Sequence, residues 1–242
     1  MRLDVYLCNN GYASSRTEAK GYIISGGVTI NGKVITKPSY DVDNEIVEVC
    51  VDKSSKKYIS RGGIKLEAAL DSFSISVEGK RALDVGASSG GFTDCLLKRG
   101  ASHVIAVDSG SGQLADALRN DSRVTSIENY NARFMTSADL EYIPEIVVMD
   151  VSFISATLII PAIYNSMSEE GSFVCLVKPQ FEVGRGGVGK GGIVKDDRLR
   201  RKALADVIEF ATGCGFVALA TMESPIQGGD GNTEFLVHFV KR

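Results

Sequence analysis

Apolar and polar positions over residues 81–240 alternate in a way that predicts strands and helices in turn. Five apolar runs predict strands, near 81–85, 103–107, 124–128, 146–150 and 172–177. Three further stretches predict the intervening helices, near 91–100, 112–119 and 155–167. This alternation is typical of βαβ units, so we expect an α/β fold built on a parallel sheet.

The end of the chain breaks this alternation. A helix predicted from about Asp196 to Thr212 is followed by two apolar runs, near 216–223 and 234–240, with a polar, glycine-rich turn between them. Successive strands joined by such a turn predict an antiparallel hairpin at the end of the sheet. A seven-stranded sheet with its last strand reversed is the Rossmann-like sheet of class I methyltransferases, and this is the fold we expect.

Residues 1–52 show a different pattern, which predicts a small, separate α+β domain. Arg2–Cys8 predicts a short helix, and Ser15-Arg16-Thr17-Glu18 predicts a capping box that opens a second helix, running to about Ser25. The other expected elements are a strand at Val28–Ile30, a tight turn at Asn31-Gly32, extended chain at Val34-Ile35 and a half-buried strand over Asp43–Val51.

A polar segment at 53–60 interrupts the hydrophobic pattern and predicts a linker. It would separate the first domain, 1–52, from a second domain, 61–242, whose first helix we expect over Ile64–Phe73. A chain of 242 residues suits one ordinary domain plus a small one.

A glycine-rich turn follows the first strand of the predicted sheet, in the segment 83–93 (LDVGASSGGFT). Its spacing, Asp-x-Gly-x-x-x-Gly-Gly, differs from the Gly-x-Gly-x-x-Gly that accommodates a dinucleotide pyrophosphate, which disfavours an NAD-dependent dehydrogenase. The next strand ends at Asp108, an acid suited to a ribose diol. Together they favour S-adenosylmethionine, although a tight glycine turn also occurs in α/β proteins without this ligand. The expected cofactor contacts are Asp84, Gly86, Ser88, Gly90, Gly91, Phe92, Asp108 and Asn131.

Composition and charge limit the kinds of binding site and the cellular location that we expect. The net charge is −3, so a nucleic-acid surface must be local. Five scattered cysteines, two histidines and no Cys-x-x-Cys pair argue against a metal site, and we expect none. The N-terminus lacks the apolar core of a signal peptide and no apolar run is long enough to span a bilayer, so we expect a cytoplasmic protein with reduced thiols.

Four charged residues stand at the ends of predicted elements: Lys65, Asp150, Lys178 and Glu234. Ligands of doubly wound sheets bind at the carboxyl ends of parallel strands, where Asp150 and Lys178 fall. Glu234 reaches the same edge because its strand is reversed, and the helix of Lys65 can close over that edge. Two lysines and two carboxylates can surround one hydroxyl, with Lys178 as proton acceptor and no metal. Taken singly, each residue is more often a surface ion pair or a cap.

Three motifs give the chain a specific resemblance: Ser-Arg-Gly-Gly-x-Lys-Leu at 60–66, Asp-Val-Ser-Phe-Ile-Ser at 150–155 and Val-Lys-Pro-Gln-Phe-Glu at 177–182. With the glycine turn they resemble the FtsJ-like ribose 2′-O-methyltransferases, and the whole chain resembles the TlyA family. That family is labelled as hemolysins but includes rRNA ribose methyltransferases.

This resemblance implies S-adenosylmethionine-dependent methylation of an RNA 2′-hydroxyl, most simply in rRNA of ribosomal subunits. It implies that Lys65, Asp150, Lys178 and Glu234 form a catalytic tetrad, and that Gly86, Gly90, Phe92 and Asp108 line the cofactor. Phe92 and Ser89 stand where the FtsJ group often has tryptophan and proline, so details of the adenosine pocket can differ. We expect Asn131 on the adenine side.

The first domain resembles RNA-binding domains of the ribosomal-protein S-four type. The likeness lies in Arg-Leu-Asp at 2–4, Ser-Arg-x-x-Ala at 15–19 and Gly-x-Val-x-x-Asn-Gly at 26–32. Such domains bind structured RNA by shape, which makes Arg2, Arg16 and Lys20 the expected RNA contacts. Arg16 and Lys20 are four residues apart and share a helix face.

The segment 184–190 fits Gly-x-x-x-x-Gly-Lys, the pattern of a phosphate loop. The next residue is Gly191 rather than Ser or Thr, so the magnesium-binding hydroxyl is missing and we reject a nucleoside triphosphatase. Two interpretations stay open for 184–192. It is either a loop that orders on RNA, with Arg185 and Lys190 meeting phosphates, or a loop without function.

Two other functions compete with methyl transfer. A non-catalytic RNA-binding or ribosome assembly factor would keep the fold without needing all four tetrad positions. A membrane-lytic hemolysin is disfavoured, because the sequence lacks a spanning segment and a long cationic amphipathic helix. Dye leakage from liposomes would separate lysis from methyl transfer.

Overall fold

A computed structural model describes residues 1–24, 26–42, 48–52, 57–228 and 231–241. The chain divides into two compact units, Met1–Arg61 and Gly62–Arg242. Three predicted features extend beyond the described residues: the end of the second helix at Ser25, most of the strand expected over Asp43–Val51, and the first half of the linker at 53–60.

The first unit packs two helices against a small antiparallel sheet of order β2-β1-β3. Its elements are α1 (Leu3–Asn9), α2 (Arg16–Ile24), β1 (Val28–Ile30), β2 (Lys33–Val34) and β3 (Val49–Val51). Leu3, Leu7 and Ile23 are fully buried between the layers. The predicted hairpin is confirmed, since Asn31 and Gly32 both have left-handed backbone, at φ of 49° and 75°.

Ser15 and Glu18, the two ends of the predicted capping box, both make hydrogen bonds at the start of α2. The Ser15 hydroxyl accepts a hydrogen bond from the Glu18 N–H at 3.2 Å, as expected of an N-cap. The Glu18 carboxylate also reaches back to Ser14. It accepts from the N–H of Ser14 at 2.7 Å and from its hydroxyl at 2.6 Å.

The second unit contains the predicted seven-stranded sheet, in the order β6-β5-β4-β7-β8-β10-β9. Its strands are β4 (Arg81–Val85), β5 (His103–Val107), β6 (Val124–Ile127), β7 (Ile146–Met149), β8 (Ser172–Val177), β9 (Phe216–Glu223) and β10 (Phe235–Lys241). The last strand along the chain, β10, pairs antiparallel with both β8 and β9. The reversed strand is therefore confirmed, and it lies one position in from the edge.

Helices flank this sheet: α3 (Gly62–Ser72), α4 (Gly91–Lys98), α5 (Asp116–Arg119), α6 (Ile160–Ser166), α7 (Pro179–Glu182) and α8 (Asp197–Gly213). The central strands read as continuous apolar runs because the sheet is covered on both faces, and all four residues of β7 are buried. Phe173, Phe216 and Phe239 pack within 5.8 Å of one another at one end of this core.

Two predicted helices are shorter than expected. The stretch 112–115 is not helical, because the Gly112 N–H donates to the Glu128 side chain at 2.9 Å and ties this segment to the end of β6. The helix predicted over 155–167 is broken into a 3₁₀ turn, Ala156–Leu158, and α6. Pro161 lies in the first turn of α6, where its missing N–H costs nothing.

Candidate active site

The glycine turn after β4 lies against the backbone of the next strand in the sheet. Gly86 has φ of +85°, and a Cβ at this position would lie 2.5 Å from the Asp150 carbonyl oxygen. The Gly86 N–H donates to the Val107 carbonyl at 2.8 Å. Position 86 therefore needs glycine for both its backbone conformation and its close approach to Asp150.

A cavity of about 430 Å³ opens beside this turn, at the carboxyl ends of β4, β5 and β7. Five of the residues predicted from the sequence line it: Gly86, Ser88, Asp108, Asn131 and Asp150. Twelve other residues complete the lining: Val85, Val107, Ser109, Gly110, Gln113, Tyr130, Ala132, Val151, Ser152, Phe153, Ile154 and Ile159. Its position at the carboxyl edge of the sheet is where open α/β folds bind ligands.

Asp108 connects the two turns that border the cavity. One carboxylate oxygen accepts from the Ser88 N–H at 2.7 Å, and the other accepts from the Gly110 N–H at 2.7 Å. Each oxygen keeps a second acceptor position. The residue predicted to receive a ribose diol thus also sets the shape of the turns around it.

Asp84, predicted as a cofactor contact, lies beneath the turn and is absent from the cavity lining. One oxygen accepts from the Thr93 hydroxyl at 2.6 Å, and the other is buried without a hydrogen-bond partner among the described residues. Burial raises the pKa of Asp84 to about 7, and the negative charges of Asp150 and Asp108 act in the same direction.

Gly90, Gly91 and Phe92, three further predicted contacts, form the junction of the turn with α4 and do not line the cavity. Gly90 has φ of +95°, and a Cβ there would collide with the Leu118 side chain. The Phe92 ring is buried, with 3% of its surface exposed. In this structure these residues shape the turn and its packing.

The four charged residues predicted as a tetrad form two ion pairs. Lys65 Nζ lies 2.5 Å from Glu234 Oε2, and both side chains are buried. Lys178 Nζ lies 2.6 Å from Asp150 Oδ1, an ion pair whose angles fall outside hydrogen-bond geometry. Lys178 also donates a hydrogen bond to the Ser152 hydroxyl at 2.8 Å.

The sheet register relates the two pairs. Phe235 at the start of β10 is paired with Val177 at the end of β8. Continuing this antiparallel register by one residue sets Glu234 opposite Lys178. The reversed strand therefore brings Glu234 to the edge where Lys178 and Asp150 lie, as the sequence predicted. The expectation that Lys65 neighbours Lys178 stays a prediction.

Phe153 is a feature of the site that the sequence reasoning missed. Its side chain is 92% exposed at the cavity rim, and its φ of 64° is in the left-handed region that non-glycine residues seldom adopt. Its ring lies 5.4 Å from that of Phe181. The available signal was its place in the Asp-Val-Ser-Phe-Ile-Ser motif, where only Asp150 was assigned a role.

The glycine-rich segment 184–192 begins after α7. Arg185 starts a 3₁₀ turn, 185–187, and its side chain lies outside the described part of the structure, while Lys190 is exposed. The far end is fixed by the buried Asn232, which accepts from the Val194 N–H and donates to the Gly192 carbonyl, both at 2.9 Å. Asn232 stands two residues before Glu234.

In the first unit, both predicted RNA-contacting arginines share one carboxylate. Arg2 Nε lies 2.9 Å from Asp4 Oδ1, and an Arg16 terminal nitrogen lies 2.7 Å from Asp4 Oδ2. The Asp4 side chain is buried, and these guanidinium groups lower its pKa to about 2. About half of each arginine side chain is exposed, and Lys20 is exposed on α2. Asp4 therefore fixes two cations that remain accessible.

Within the described residues, no cluster of three or more histidine, cysteine, aspartate or glutamate side chains is arranged to hold a metal ion. Every helix in that part of the chain is too short or too polar to span a lipid bilayer.

Family models identify both parts of the chain. The model of the FtsJ-like methyltransferase family matches residues 58–241, and the S4 domain model matches residues 1–45. The first match covers most of the chain and includes the whole seven-stranded sheet with its cavity and ion pairs. The chain belongs to the FtsJ-like methyltransferase family and carries an N-terminal S4 domain.

Several individual proteins match this chain over nearly its whole length. The chain is 47% identical to Hemolysin A of Brachyspira hyodysenteriae over 242 residues, 99% of this chain and 100% of that protein. It is 43% identical to the 16S/23S rRNA (cytidine-2′-O)-methyltransferase TlyA of Mycobacterium tuberculosis over 236 residues, 98% of this chain and 88% of that protein. These relatives confirm the predicted likeness to the TlyA family.

A solved structure from Streptococcus thermophilus, of a protein provisionally assigned as a hemolysin, superposes with a TM-score of 0.78. It is 43% identical to this chain, and the match covers 100% of this chain and 88% of that one.

Proposed function

We propose that this protein transfers a methyl group from S-adenosylmethionine to the 2′-hydroxyl of a ribose in rRNA. The observation that carries the proposal is the juxtaposition, at one sheet edge, of the cavity with the Lys178–Asp150 ion pair. Relatives that the chain matches over nearly its whole length include an rRNA (cytidine-2′-O)-methyltransferase, which favours the same substrate class.

The charges around the cavity fit a cationic ligand. Asp108 and Asp150 line it, and Asp84 lies directly beneath the turn. One oxygen of Asp84 is buried without a hydrogen-bond partner among the described residues, and burial together with the negative charges of Asp150 and Asp108 raises the pKa of Asp84. S-adenosylmethionine supplies an activated methyl group together with a sulfonium and an ammonium charge, which these carboxylates can balance.

Within this proposal, Lys178 accepts the proton that the 2′-hydroxyl loses as its oxygen is methylated. Ser152 and Asp150 fix the direction of the amine. The amine acts as a base in its neutral form and carries the proton after the transfer.

The Lys65–Glu234 pair lies at the same sheet edge, because the register of β10 with β8 sets Glu234 opposite Lys178. Because both side chains are buried and paired, their positions are fixed before substrate arrives. The Glu234 carboxylate can accept a hydrogen bond from a ribose hydroxyl, and Lys65 balances its charge. Both residues thereby orient the hydroxyl and leave proton transfer to Lys178.

Within this proposal, three groups of residues contact the RNA. Arg2, Arg16 and Lys20 present cations on the first unit, suited to phosphate contacts that position RNA without reading its sequence. Arg185 and Lys190 belong to the glycine-rich segment near the edge. Phe153 offers an exposed ring face on which the base of the target nucleotide can stack once it leaves its helix.

The decisive experiment is transfer of a labelled methyl group from S-adenosylmethionine to unmodified ribosomal subunits and to naked rRNA, with Lys178→Ala in parallel. We expect label in the ribose of one rRNA, lost in the variant while cofactor binding persists. Full activity of Lys178→Ala would refute the tetrad assignment. Cofactor binding without transfer to any rRNA would point to another RNA, and the absence of both would favour a non-catalytic RNA-binding protein.

A further inference from the structure

The Glu182 side chain joins two loops that follow neighbouring strands of the sheet. It stands at the end of α7, after β8, and its carboxylate contacts the loop after β7. One oxygen accepts from the Ser155 hydroxyl at 2.6 Å, and the other accepts from the Ala156 N–H at 2.8 Å. Both oxygens of one carboxylate therefore hold the same short stretch of chain.

That stretch is the end of the segment 150–156, which we name the rim loop. Its beginning is held by Lys178, through the 2.6 Å ion pair with Asp150 and the 2.8 Å hydrogen bond to Ser152. Glu182 holds its other end. The rim loop is thus tied at both ends to residues 178–182, across the boundary between β7 and β8.

Phe153 lies between these two attachments. Its φ of 64° is an unfavourable conformation for a residue with a bulky side chain, and 92% of its surface is exposed. Among the described residues its ring contacts one other aromatic ring, that of Phe181, one residue before Glu182, at 5.4 Å. A single tilted contact does not fix an exposed ring, so the loop attachments must hold its backbone.

The Glu182 attachment is well suited to this task. The side chain is partly buried; burial raises the pKa of its carboxyl above the ordinary value, and the hydrogen bonds from Ser155 and Ala156 act in the opposite direction by favouring the ionised form. Hydrogen bonds to an ionised acceptor are shorter and stronger than neutral ones, especially away from water. A neutral amide at this position could accept only through its single oxygen.

We infer that Glu182 is a positioning residue for methyl transfer: it holds the rim loop so that Phe153 stands at the cavity rim and Ser152 faces Lys178. This inference rests on the proposed function for its effect on catalysis. Its structural half, the immobilisation of Phe153, does not depend on that function.

A fluorescence measurement tests the structural half. The chain has no tryptophan, so Phe153→Trp places a single reporter on the rim loop. We expect slow decay of its anisotropy, with a new fast component when Glu182→Gln is added. Glu209→Gln, an exposed glutamate on α8, is the matched control and leaves the decay unchanged. An unchanged decay in the Glu182→Gln protein overturns the inference.

Kinetics test the catalytic half. In otherwise native protein, Glu182→Gln should lower the single-turnover rate of methyl transfer about 10-fold and Glu182→Ala about 100-fold, as expected for misplacement of aligned groups. Binding of S-adenosylhomocysteine and the midpoint of thermal unfolding should stay near those of the Glu209→Gln control. A parallel loss of rate, ligand binding and unfolding midpoint in both variants would mean a merely structural role and would refute the inference.

The two proposals fail in different ways. If the native protein methylates no RNA, the proposed function fails, and the anisotropy decay still decides whether Glu182 holds Phe153. If the native protein methylates rRNA and Glu182→Ala does so equally fast, only the inference about Glu182 fails.

Discussion

Lys65 and Glu234 form a buried ion pair although 169 residues separate them along the chain. Lys65 lies on the first helix of the second unit, and Glu234 immediately precedes its last strand. The pair therefore joins the two extremes of the methyltransferase fold directly beside the edge that holds Lys178 and Asp150.

Removing only one member of this ion pair should destabilise the folded protein. Lys65→Met leaves the Glu234 carboxylate buried without its cation, and Glu234→Gln leaves the Lys65 ammonium in the same state. We expect each single variant to lose about 3–5 kcal/mol of unfolding free energy, and the double variant to lose less than their sum. Urea denaturation of the four proteins measures this coupling. Additive losses would show that the pair contributes no interaction energy.

Gly86→Ala should destroy the cofactor site. The new Cβ would meet the Asp150 carbonyl oxygen at 2.5 Å, and the residue would be forced into φ of +85°. Either the turn or the end of β7 must move, so we expect S-adenosylhomocysteine binding to be lost in titration calorimetry. Gly213→Ala is the control, because a Cβ there has nothing within 4 Å and its φ is ordinary. Native-like binding by Gly86→Ala would contradict the observed packing.

Asp108→Asn should weaken cofactor binding without removing it. The amide has one acceptor oxygen, whereas Asp108 accepts from both the Ser88 and Gly110 N–H groups. One of the two hydrogen bonds that hold the turns would be lost, and a ribose hydroxyl would meet a neutral amide in place of a carboxylate. We expect the Kd of S-adenosylhomocysteine to rise about 10- to 100-fold, equivalent to about 1.4–2.7 kcal/mol. Asp116→Asn, exposed on α5, should leave the Kd unchanged.

Asp84 gives the protein a predictable pH dependence of stability. Its pKa is about 7 in the folded protein and 3.8 in its ordinary state. Between these values the folded form retains a proton that the unfolded chain has released, so this residue lowers stability progressively as the pH rises through the window. Asp84→Asn has no such proton and its amide oxygen can still accept from Thr93. The stability gained by this variant should therefore grow from acid pH towards neutrality and then level off. Denaturation curves across this range measure the difference, and a constant difference would argue against a raised pKa.

The first unit should supply a salt-dependent part of RNA affinity. Removing one phosphate contact by Arg16→Ala should lower the magnitude of the slope of log K against log salt by about one unit. Lys20→Ala should act in the same way and on all RNA sequences alike. Arg123→Ala, which removes an arginine paired with Asp121 in the second unit, is the matched control. Slopes equal to the native value in both test variants would exclude these residues as phosphate contacts.

The sheet was predictable because its strands are continuous apolar runs, a pattern that burial on both faces imposes. The prediction of a helix over 112–115 was wrong because the conformation of this stretch depends on the hydrogen bond from Gly112 to Glu128, 16 residues further along the chain. Asp84 was expected at the cofactor because it precedes the glycine turn. Strand pleating instead buries its side chain beneath that turn, against Thr93.

Other features depend on contacts that no local pattern records. The left-handed backbone of Phe153 is held by Glu182 through Ser155 and Ala156, and the sharing of Asp4 by Arg2 and Arg16 needs α1 and α2 to be packed together. Phe153, Arg16, Glu182 and Asp4 all belong to sequence motifs. Only their three-dimensional contacts show which residue is accessible to a ligand, such as Phe153 or Arg16, and which one holds it in position, such as Glu182 or Asp4.

The position of β10 also has a consequence for the order in which the site is completed during synthesis. The cavity is lined entirely by residues 85–159, one continuous stretch, whereas Glu234 and its strand emerge from the ribosome after all of them. Because β10 lies between β8 and β9, the sheet is incomplete and Lys65 lacks its partner Glu234 until this strand has emerged. Domains generally fold as units, and during synthesis the N-terminal domain folds first. The first unit, Met1–Arg61, can therefore fold on the ribosome that makes it before the second unit completes its cavity and its charged groups.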